Sequence, residues 1–180
     1  MLKFYIDVDD VVADFKGHAI ERGVPAWTGT FYANHPSTWT EEQKTQVRMV
    51  DQLCADETFW LNIPVADRAF EIIAMCAMHG ESYLLTAYPP GNVAEPSMIE
   101  RVKMQWTMDR LHFPADRVII CERKAKTAFA VSRTWDGAKP NVLIDDAEKN
   151  VIEWREAGGI AIHHTPGDAA ETIRQIRALL

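Results

Sequence analysis

Five short apolar runs, most of them separated by stretches with helical periodicity, constrain the fold of this chain more than any other feature. Alternation of strands and helices predicts a parallel sheet with helices on both of its faces. At 180 residues, the chain is long enough for one domain with a modest insertion. We therefore predict a Rossmann-like α/β fold with five parallel strands, namely Lys3–Ile6, Ser82–Leu85, Arg117–Cys121, Asn141–Ile144 and Ile160–His163.

The stretches between the strands repeat apolar residues at helical spacing. In the first of them, the spacing of Phe70, Ile73 and Ala77 predicts that these three side chains share the buried face. The predicted helices of the core are Val65–Met78, Pro96–Leu111, Glu148–Ala157 and Asp168–Leu180.

The segment after the first strand breaks this alternation. Residues 16–58 contain no strand candidate, and Thr40-Glu41-Glu42-Gln43 has the capping-box pattern that begins a helix, here one that extends to about Asp51. We interpret residues 16–60 as a small helical cap over the end of the sheet. The core is then formed by residues 1–15 and 61–180.

Acidic residues follow the first strand directly. Asp7 and Asp9 are two residues apart, so both side chains face the same cavity while Val8 points into the core. Neighbouring carboxylates repel each other unless a cation lies between them, which predicts a divalent metal site. Asp10 is the third acidic residue, and we interpret it as a cap of the helix that follows.

The other strands also end in polar residues. Strand two ends in Thr86, strand three ends just before Lys124 and Lys126, and strand four ends in Asp145 and Asp146. Each of these residues alone also fits a turn or a solvated helix. Because open parallel sheets bind ligands at the carboxyl ends of their strands, however, the residues are expected to converge. A hydroxyl, a lysine and several carboxylates at one edge indicate a site for a metal and a phosphate.

Composition limits the partners and the compartment. The net charge of −7 disfavours binding to a nucleic-acid backbone. The first apolar run is too short for a signal peptide or a membrane span. The three cysteines are scattered and lack C-x-x-C spacing, so neither a disulfide framework nor a zinc site is indicated. We expect a soluble, cytoplasmic protein.

In their order, these motifs resemble those of the haloacid dehalogenase-like superfamily of phosphohydrolases. The segment from Asp7 to Phe15, DVDDVVADF, is similar to the first motif of the 5'(3')-deoxyribonucleotidase family, and Leu143-Ile144-Asp145-Asp146 is similar to its last. Phe59-Trp60 and Lys103-x-x-Trp106 are weaker matches to the same family.

The chain departs from that family at two places. Asp10 stands where the family commonly has Gly, and Ala87-Tyr88-Pro89 stands where the family has a hydroxyl residue followed by Pro. Lys124 and Lys126 both fall where the family has its lysine. Lys126-Thr127 matches the family's Lys-Thr dipeptide, which favours Lys126 and leaves Lys124 as the alternative.

The resemblance implies a Mg²⁺-dependent phosphatase that works through an aspartyl-phosphate. Asp7 would be the nucleophile, and Asp9 would be the general acid and then the general base. Mg²⁺ would be held by Asp7, by the backbone oxygen of Asp9 and by Asp146, while Asp145 would orient the site. Thr86 and the lysine would bind phosphoryl oxygens.

The implied substrate is a pyrimidine deoxynucleoside monophosphate, with no nucleic-acid or membrane partner and with a homodimer left open. Aromatic rings in and near the cap would stack the base, although packing in the core is their alternative role. The expected substrate-binding residues are Phe15, Phe59, Trp60, Thr86, Ala87 and Trp106, and further rings of the cap are Phe31, Tyr32 and Trp39.

Three alternatives stay open. The first is a phosphatase for another small phosphomonoester, such as a sugar phosphate or a 3'-phosphate. The second is a receiver-like signalling domain, which would need a phosphoacceptor aspartate after the third strand, where this chain has Cys121-Glu122. The third is a metal or nucleotide binder without catalysis.

Overall fold

The computed structural model describes residues 2–27, 36–90, 94–135 and 137–179. A five-stranded parallel sheet forms its centre and contains all five predicted strands, which confirms the predicted α/β fold. In chain order, the strands are β1 (Leu2–Ile6), β2 (Gly80–Ala87), β3 (Val118–Cys121), β4 (Val131–Thr134), β5 (Gly137–Pro140), β6 (Val142–Asp145) and β7 (Ile160–His163). The order across the sheet is β3-β2-β1-β6-β7, and β4 and β5 form a separate antiparallel hairpin that the sequence did not predict.

The predicted core helices are present, with ends shifted by at most four residues. The helices are α1 (Phe15–Glu21), α2 (Glu41–Cys54), α3 (Glu57–Leu61), α4 (Ala69–His79), α5 (Pro96–Leu111), α6 (Glu148–Glu156) and α7 (Ala169–Ala178). A 3₁₀ helix, Arg123–Phe129, follows β3. Among these described segments, no helix has both the length and the apolar character that crossing a membrane requires.

Side chains of β1 alternate between the two faces of the sheet. Phe4 and Ile6 belong to the large core that also contains residues of α4, α5 and α7. Tyr5 points to the opposite face, where its ring lies 5.6 Å from that of Trp154 on α6. Helices therefore cover both faces, as predicted, and α6 covers the second face together with the segment that contains Ala130.

The predicted buried face of α4 is wrong for two of its three residues. Phe70 is 53% exposed and Ala77 is also exposed, whereas Ile73 is half-buried and packs against the core. The fully buried residues of the helix are Ala69, Ile72 and Cys76. The helix carries apolar residues on more than one side, so periodicity alone does not select a face. Packing of α4 against the sheet and α7 makes the selection.

The segment between β1 and β2 contains α1 to α4 and includes the predicted cap. The capping box is present, because Thr40 Oγ1 accepts a hydrogen bond from the Gln43 amide at 3.1 Å and Gln43 Oε1 accepts one from the Thr40 amide at 2.8 Å. The predicted boundary at residue 60 falls within α3, and the division into cap and core stays a prediction. Phe31 and Tyr32 lie outside the described residues.

A buried histidine at the start of the β7–α7 connection gives the fold a dependence on pH. His164 Nδ1 lies 2.8 Å from Thr172 Oγ1, and burial lowers the pKa of the imidazole to about 4. In the unfolded chain, histidine titrates near ~6.5. Above that pH both states are neutral, whereas at lower pH the unfolded chain binds the proton first, so stability falls as the pH drops from about 6.5 to about 4.

We expect His164→Gln to remove this loss, because glutamine keeps a hydrogen-bonding group without titrating. Between pH 7 and pH 5, the free energy of unfolding of the wild type should fall by about 2 kcal/mol more than that of the variant. Urea unfolding at both pH values measures the difference. His163→Gln, at the exposed neighbouring residue, is the matched control, and equal pH dependence in all three proteins would contradict the prediction.

Candidate active site

The carboxyl edge of the sheet gathers the polar residues that the sequence singled out. The Asp7 amide donates a hydrogen bond of 2.9 Å to the Ile144 carbonyl, so the acidic segment stays alongside β6 beyond the end of β1. Asp145 is the last residue of β6, and Thr86 is the next-to-last residue of β2. Because the strands are parallel, their polar ends meet at one edge.

Lys126 lies between two of these carboxylates. Its Nζ is 2.9 Å from Asp7 Oδ2 and 2.8 Å from Asp145 Oδ2, and its side chain is only 2% exposed. The 3₁₀ helix after β3 carries it there. Of the two lysines that the sequence left open, Lys126 is therefore in the site, whereas Lys124 is exposed.

Burial and mutual repulsion perturb this cluster. Burial raises the pKa of Asp7 to about 7, and the carboxylates of Asp145 and Asp9 add to the rise, while Lys126 opposes it. Burial lowers the pKa of Lys126, but the Asp145 and Asp7 carboxylates more than offset this, so the pKa is raised overall. The ammonium group therefore stays charged throughout the physiological pH range.

Asp145 is held by several partners. Its Oδ1 accepts a hydrogen bond from the Ala147 amide at 2.9 Å, and Asn150 Nδ2 contacts both carboxylate oxygens, at 3.0 and 3.1 Å. Asn150 Oδ1 in turn accepts a hydrogen bond from Arg123 at 3.0 Å. Asn150 is not among the site residues predicted from the sequence. Its position in the first turn of the helix after the acidic pair was the signal for it.

The acidic cluster can hold a metal ion. Asp7, Asp145 and Asp146 each offer a carboxylate oxygen, and these oxygens lie within 4.8 Å of one another. Burial raises the pKa of Asp146 well above its usual range, and the charges of Asp7, Asp145 and Asp10 add to the rise. Oxygen donors close together and short of positive charge suit a hard divalent cation.

A second lysine lies on the other side of the site and was absent from the predicted site residues. Lys103 Nζ is 2.5 Å from Asp9 Oδ2, 2.7 Å from Thr86 Oγ1 and 2.9 Å from the Ala87 carbonyl. The sequence pattern of α5 could have indicated that Lys103 has a partner. Lys103 falls in the stripe of α5 that is buried with Val102 and Trp106, and a lysine in a buried stripe requires a partner.

Asp10 has a backbone conformation that glycine adopts more readily than other residues. Its φ angle is +60°, in the left-handed region that glycine adopts without strain. The Asp10 carboxylate accepts a hydrogen bond of 2.8 Å from the Lys16 amide in the first turn of α1, although the N-cap residue itself is Asp14. The predicted capping role of Asp10 is therefore confirmed for one amide of that turn. Burial raises the pKa of Asp10 to about 7.

The aromatic residues that were expected to stack a base pack against one another and against the core. Phe59, Trp60 and Trp106 are at most 3% exposed. The Trp60 indole donates to the Cys54 carbonyl at 2.9 Å, and the Trp106 indole donates to the Ile63 carbonyl at 2.8 Å. The half-buried Phe15 meets Phe59 edge to face, with ring centroids 5.4 Å apart. These contacts fit the alternative role of the rings, which is packing in the core. Stacking on a substrate base stays a prediction.

Comparison with solved structures identifies the fold. No protein-family model matches the sequence, and no curated protein matches it. Among solved structures, a haloacid dehalogenase-like family hydrolase from Streptococcus pneumoniae aligns over 98% of this chain and 91% of its own, with a TM-score of 0.54 and 12% identity. The chain has the haloacid dehalogenase-like fold. At this identity the likeness describes the fold alone, so the activity must be argued from the site residues.

Two further solved structures align with most of the chain at lower scores. A HAD hydrolase of family IA, variant 3, from Entamoeba histolytica gives a TM-score of 0.47 at 14% identity, covering 97% of this chain and 89% of its own. A hydrolase from Pseudomonas syringae gives 0.47 at 13% identity, covering 98% and 90%. Within the haloacid dehalogenase-like fold of this chain, the two lysine–carboxylate groups lie at the carboxyl edge of the sheet.

Proposed function

We propose that this protein is a Mg²⁺-dependent phosphomonoester hydrolase that forms an aspartyl-phosphate on Asp7. The main support is the ion pair between Asp7 and Lys126 at the carboxyl end of β1. Asp146 lies close to Asp7, and Asp9 follows Asp7 by two residues in the sequence. A carboxylate beside a buried ammonium group and a cation site suits attack on a negatively charged phosphoryl group.

The residues present fit the metal. Mg²⁺ prefers a few carboxylate or carbonyl oxygens and keeps several waters, and Asp7, Asp146 and the backbone oxygen of Asp9 would supply such a set. Asp145 is already held by Lys126 and Asn150, which supports a positioning role for it rather than a place among the ligands. When bound, the ion would offset phosphoryl charge during transfer.

The reaction divides between the two aspartates of the first motif. A carboxylate oxygen of Asp7 attacks phosphorus in line, and the bond from phosphorus to the leaving oxygen breaks. Asp9 gives its proton to that leaving oxygen. Asp9 then takes a proton from water, whose oxygen attacks the phosphorus of the aspartyl-phosphate and releases inorganic phosphate from Asp7.

Lys126 would neutralise a phosphoryl oxygen during both steps. An ammonium group has three N–H donors, and two are directed to Asp7 and Asp145 within the described residues. One donor therefore stays available for substrate. Binding of phosphate by Thr86 has less support, because its hydroxyl accepts from Lys103 and lies 3.4 Å from Asp9 Oδ2.

For the substrate, we propose a pyrimidine deoxynucleoside monophosphate. The resemblance of the segment from Asp7 to Phe15 to the deoxyribonucleotidase motif supports it, and the net charge of −7 weighs against a polynucleotide. The test is phosphate release across a panel of nucleoside 5'- and 3'-monophosphates and sugar phosphates, with Mg²⁺ or with EDTA. We expect release only with Mg²⁺ and fastest from dUMP or dTMP. A preference for sugar phosphates would contradict the proposed nucleotide substrate but would still support the proposed hydrolase activity.

We expect Asp146→Asn to raise the Mg²⁺ concentration for half-maximal activity at least about tenfold, because one charged ligand is lost. Since Asp7 and Asp146 must lose protons to bind metal, the rise in melting temperature that Mg²⁺ causes in the wild type should be larger at pH 8 than at pH 6. Asp116→Asn, at an exposed site, is the matched control. An unchanged Mg²⁺ requirement in Asp146→Asn would contradict the ligand assignment.

A further inference from the structure

Lys103 differs from Lys126 in how its donors are used. Its three N–H donors meet three acceptors within the protein: Asp9 Oδ2 at 2.5 Å, Thr86 Oγ1 at 2.7 Å and the Ala87 carbonyl at 2.9 Å. Its side chain is 2% exposed. No donor of Lys103 is left for a phosphoryl oxygen while these contacts hold, whereas Lys126 keeps one.

We propose that Lys103 is the positioning residue for the general acid–base group of the reaction, holding Asp9 by Oδ2 so that Oδ1 faces the leaving oxygen. This inference rests on the proposed hydrolase function. Among the described residues, the hydrogen bonds of the Asp9 carboxylate all involve Oδ2. The Asp9 side chain is 29% exposed, and Oδ1 is the carboxylate oxygen without a protein donor among these residues.

Lys103 is itself covered by Trp60, which belongs to the segment between β1 and β2. Its Nζ lies 4.8 Å from the centre of the Trp60 ring, over the ring face. Asp9 and Lys103 line a small cavity whose other lining residues are apolar. These are Val8, Ala13, Trp60, Ile63 and Trp106.

Asp9 acts in both steps, but kcat/KM reports the reaction only up to departure of the leaving group, where Asp9 acts as the acid. Breaking the bond from phosphorus to the leaving oxygen needs a proton from Asp9 when the leaving group is an alkoxide such as a sugar oxygen. A nitrophenolate leaves without that proton, because its conjugate acid is far stronger. Loss of Lys103 should therefore impair alkyl phosphates selectively, whereas loss of a phosphate-binding lysine would impair both kinds of substrate.

The experiment compares kcat/KM for two substrates, in the wild type and in Lys103→Met. One is a nucleoside monophosphate, which is an alkyl phosphate ester, and the other is 4-nitrophenyl phosphate, which is an aryl phosphate ester. Both values come from one preparation, so their ratio is independent of the fraction of protein that is folded. We expect Lys103→Met to lower the alkyl-to-aryl ratio by about 10- to 100-fold, part of the ~10²–10⁴-fold contribution of general acid catalysis. Asp9→Asn should lower the ratio in the same direction.

Arg101→Met is the matched control, since Arg101 is on the same helix, is exposed and pairs with Glu57 away from the site. Its ratio should equal that of the wild type. In Asp9→Asn, adding Lys103→Met should change the ratio by less than about twofold, because the two residues act as a unit. Equal losses on both substrates in Lys103→Met, or full additivity, would overturn the positioning role. A wild type that releases phosphate from neither substrate would overturn the hydrolase proposal, and this role with it.

Discussion

Asp7→Asn should lower phosphate release from every phosphomonoester by at least about 10³-fold, because the amide cannot form the covalent intermediate. The effect should be on kcat rather than on KM, since Lys126 and the metal ligands other than Asp7 still bind the phosphoryl group. Steady-state kinetics with the best substrate of the panel measures it. No residual burst of product should appear in the variant.

The fold should survive this substitution, which separates it from a general loss of structure. The pKa of Asp7 is raised to about 7, above its unfolded value near ~3.9, so its contribution to stability is present at low pH and is lost as pH rises through 7. An uncharged Asn escapes that loss. We expect a melting temperature at pH 8 without metal that is no lower than that of the wild type. Wild-type turnover by Asp7→Asn would rule out the mechanism.

Lys126→Met should abolish activity and also destabilise the protein by about 3–5 kcal/mol at pH 7.5, because Asp7 and Asp145 then lose their buried counter-ion. The stability loss should shrink as the pH falls towards 5, since carboxylates without a counter-ion take up protons more readily in the folded state. Urea unfolding at the two pH values measures this.

Lys124→Met is the matched control for Lys126→Met. Lys124 is two residues away on the same 3₁₀ helix, but its side chain is exposed. We expect its stability to stay within about 0.5 kcal/mol of the wild type, as for most surface substitutions, and its activity to be unchanged. Equal behaviour of the two variants would show that the contacts of Lys126 do not stabilise the fold.

Much of the fold could be predicted from the sequence because the parallel strands are short, apolar and flanked by turn residues. The β4–β5 hairpin could not, since its strands have few buried side chains and β5 is exposed throughout. A strand that buries little leaves no hydrophobic pattern to read. The face of α4 was missed for the opposite reason, because its apolar residues are too many to define one stripe.

The acidic residues of the site could be predicted because they directly follow, or end, the strands β1 and β6. Lys103 was not assigned, because its approach to Asp9 depends on how α5 packs against the sheet, and sequence spacing does not give that distance. The rings of Phe59 and Trp60 illustrate the same limit. The sequence shows that an aromatic residue is present, but it does not show whether the ring faces a ligand or the core.

Trp60, from the segment between β1 and β2, lies over Lys103, and this has a consequence for how such a protein can diversify. Lys126 and Asp7 are carried by segments of the sheet edge, whereas Lys103 also depends on a residue from the inserted segment. In the proposed reaction, changes in that segment would alter which leaving group is accepted without disturbing the nucleophile. Attack and departure would then be separately mutable, so one chemical step could be conserved while substrate choice changes.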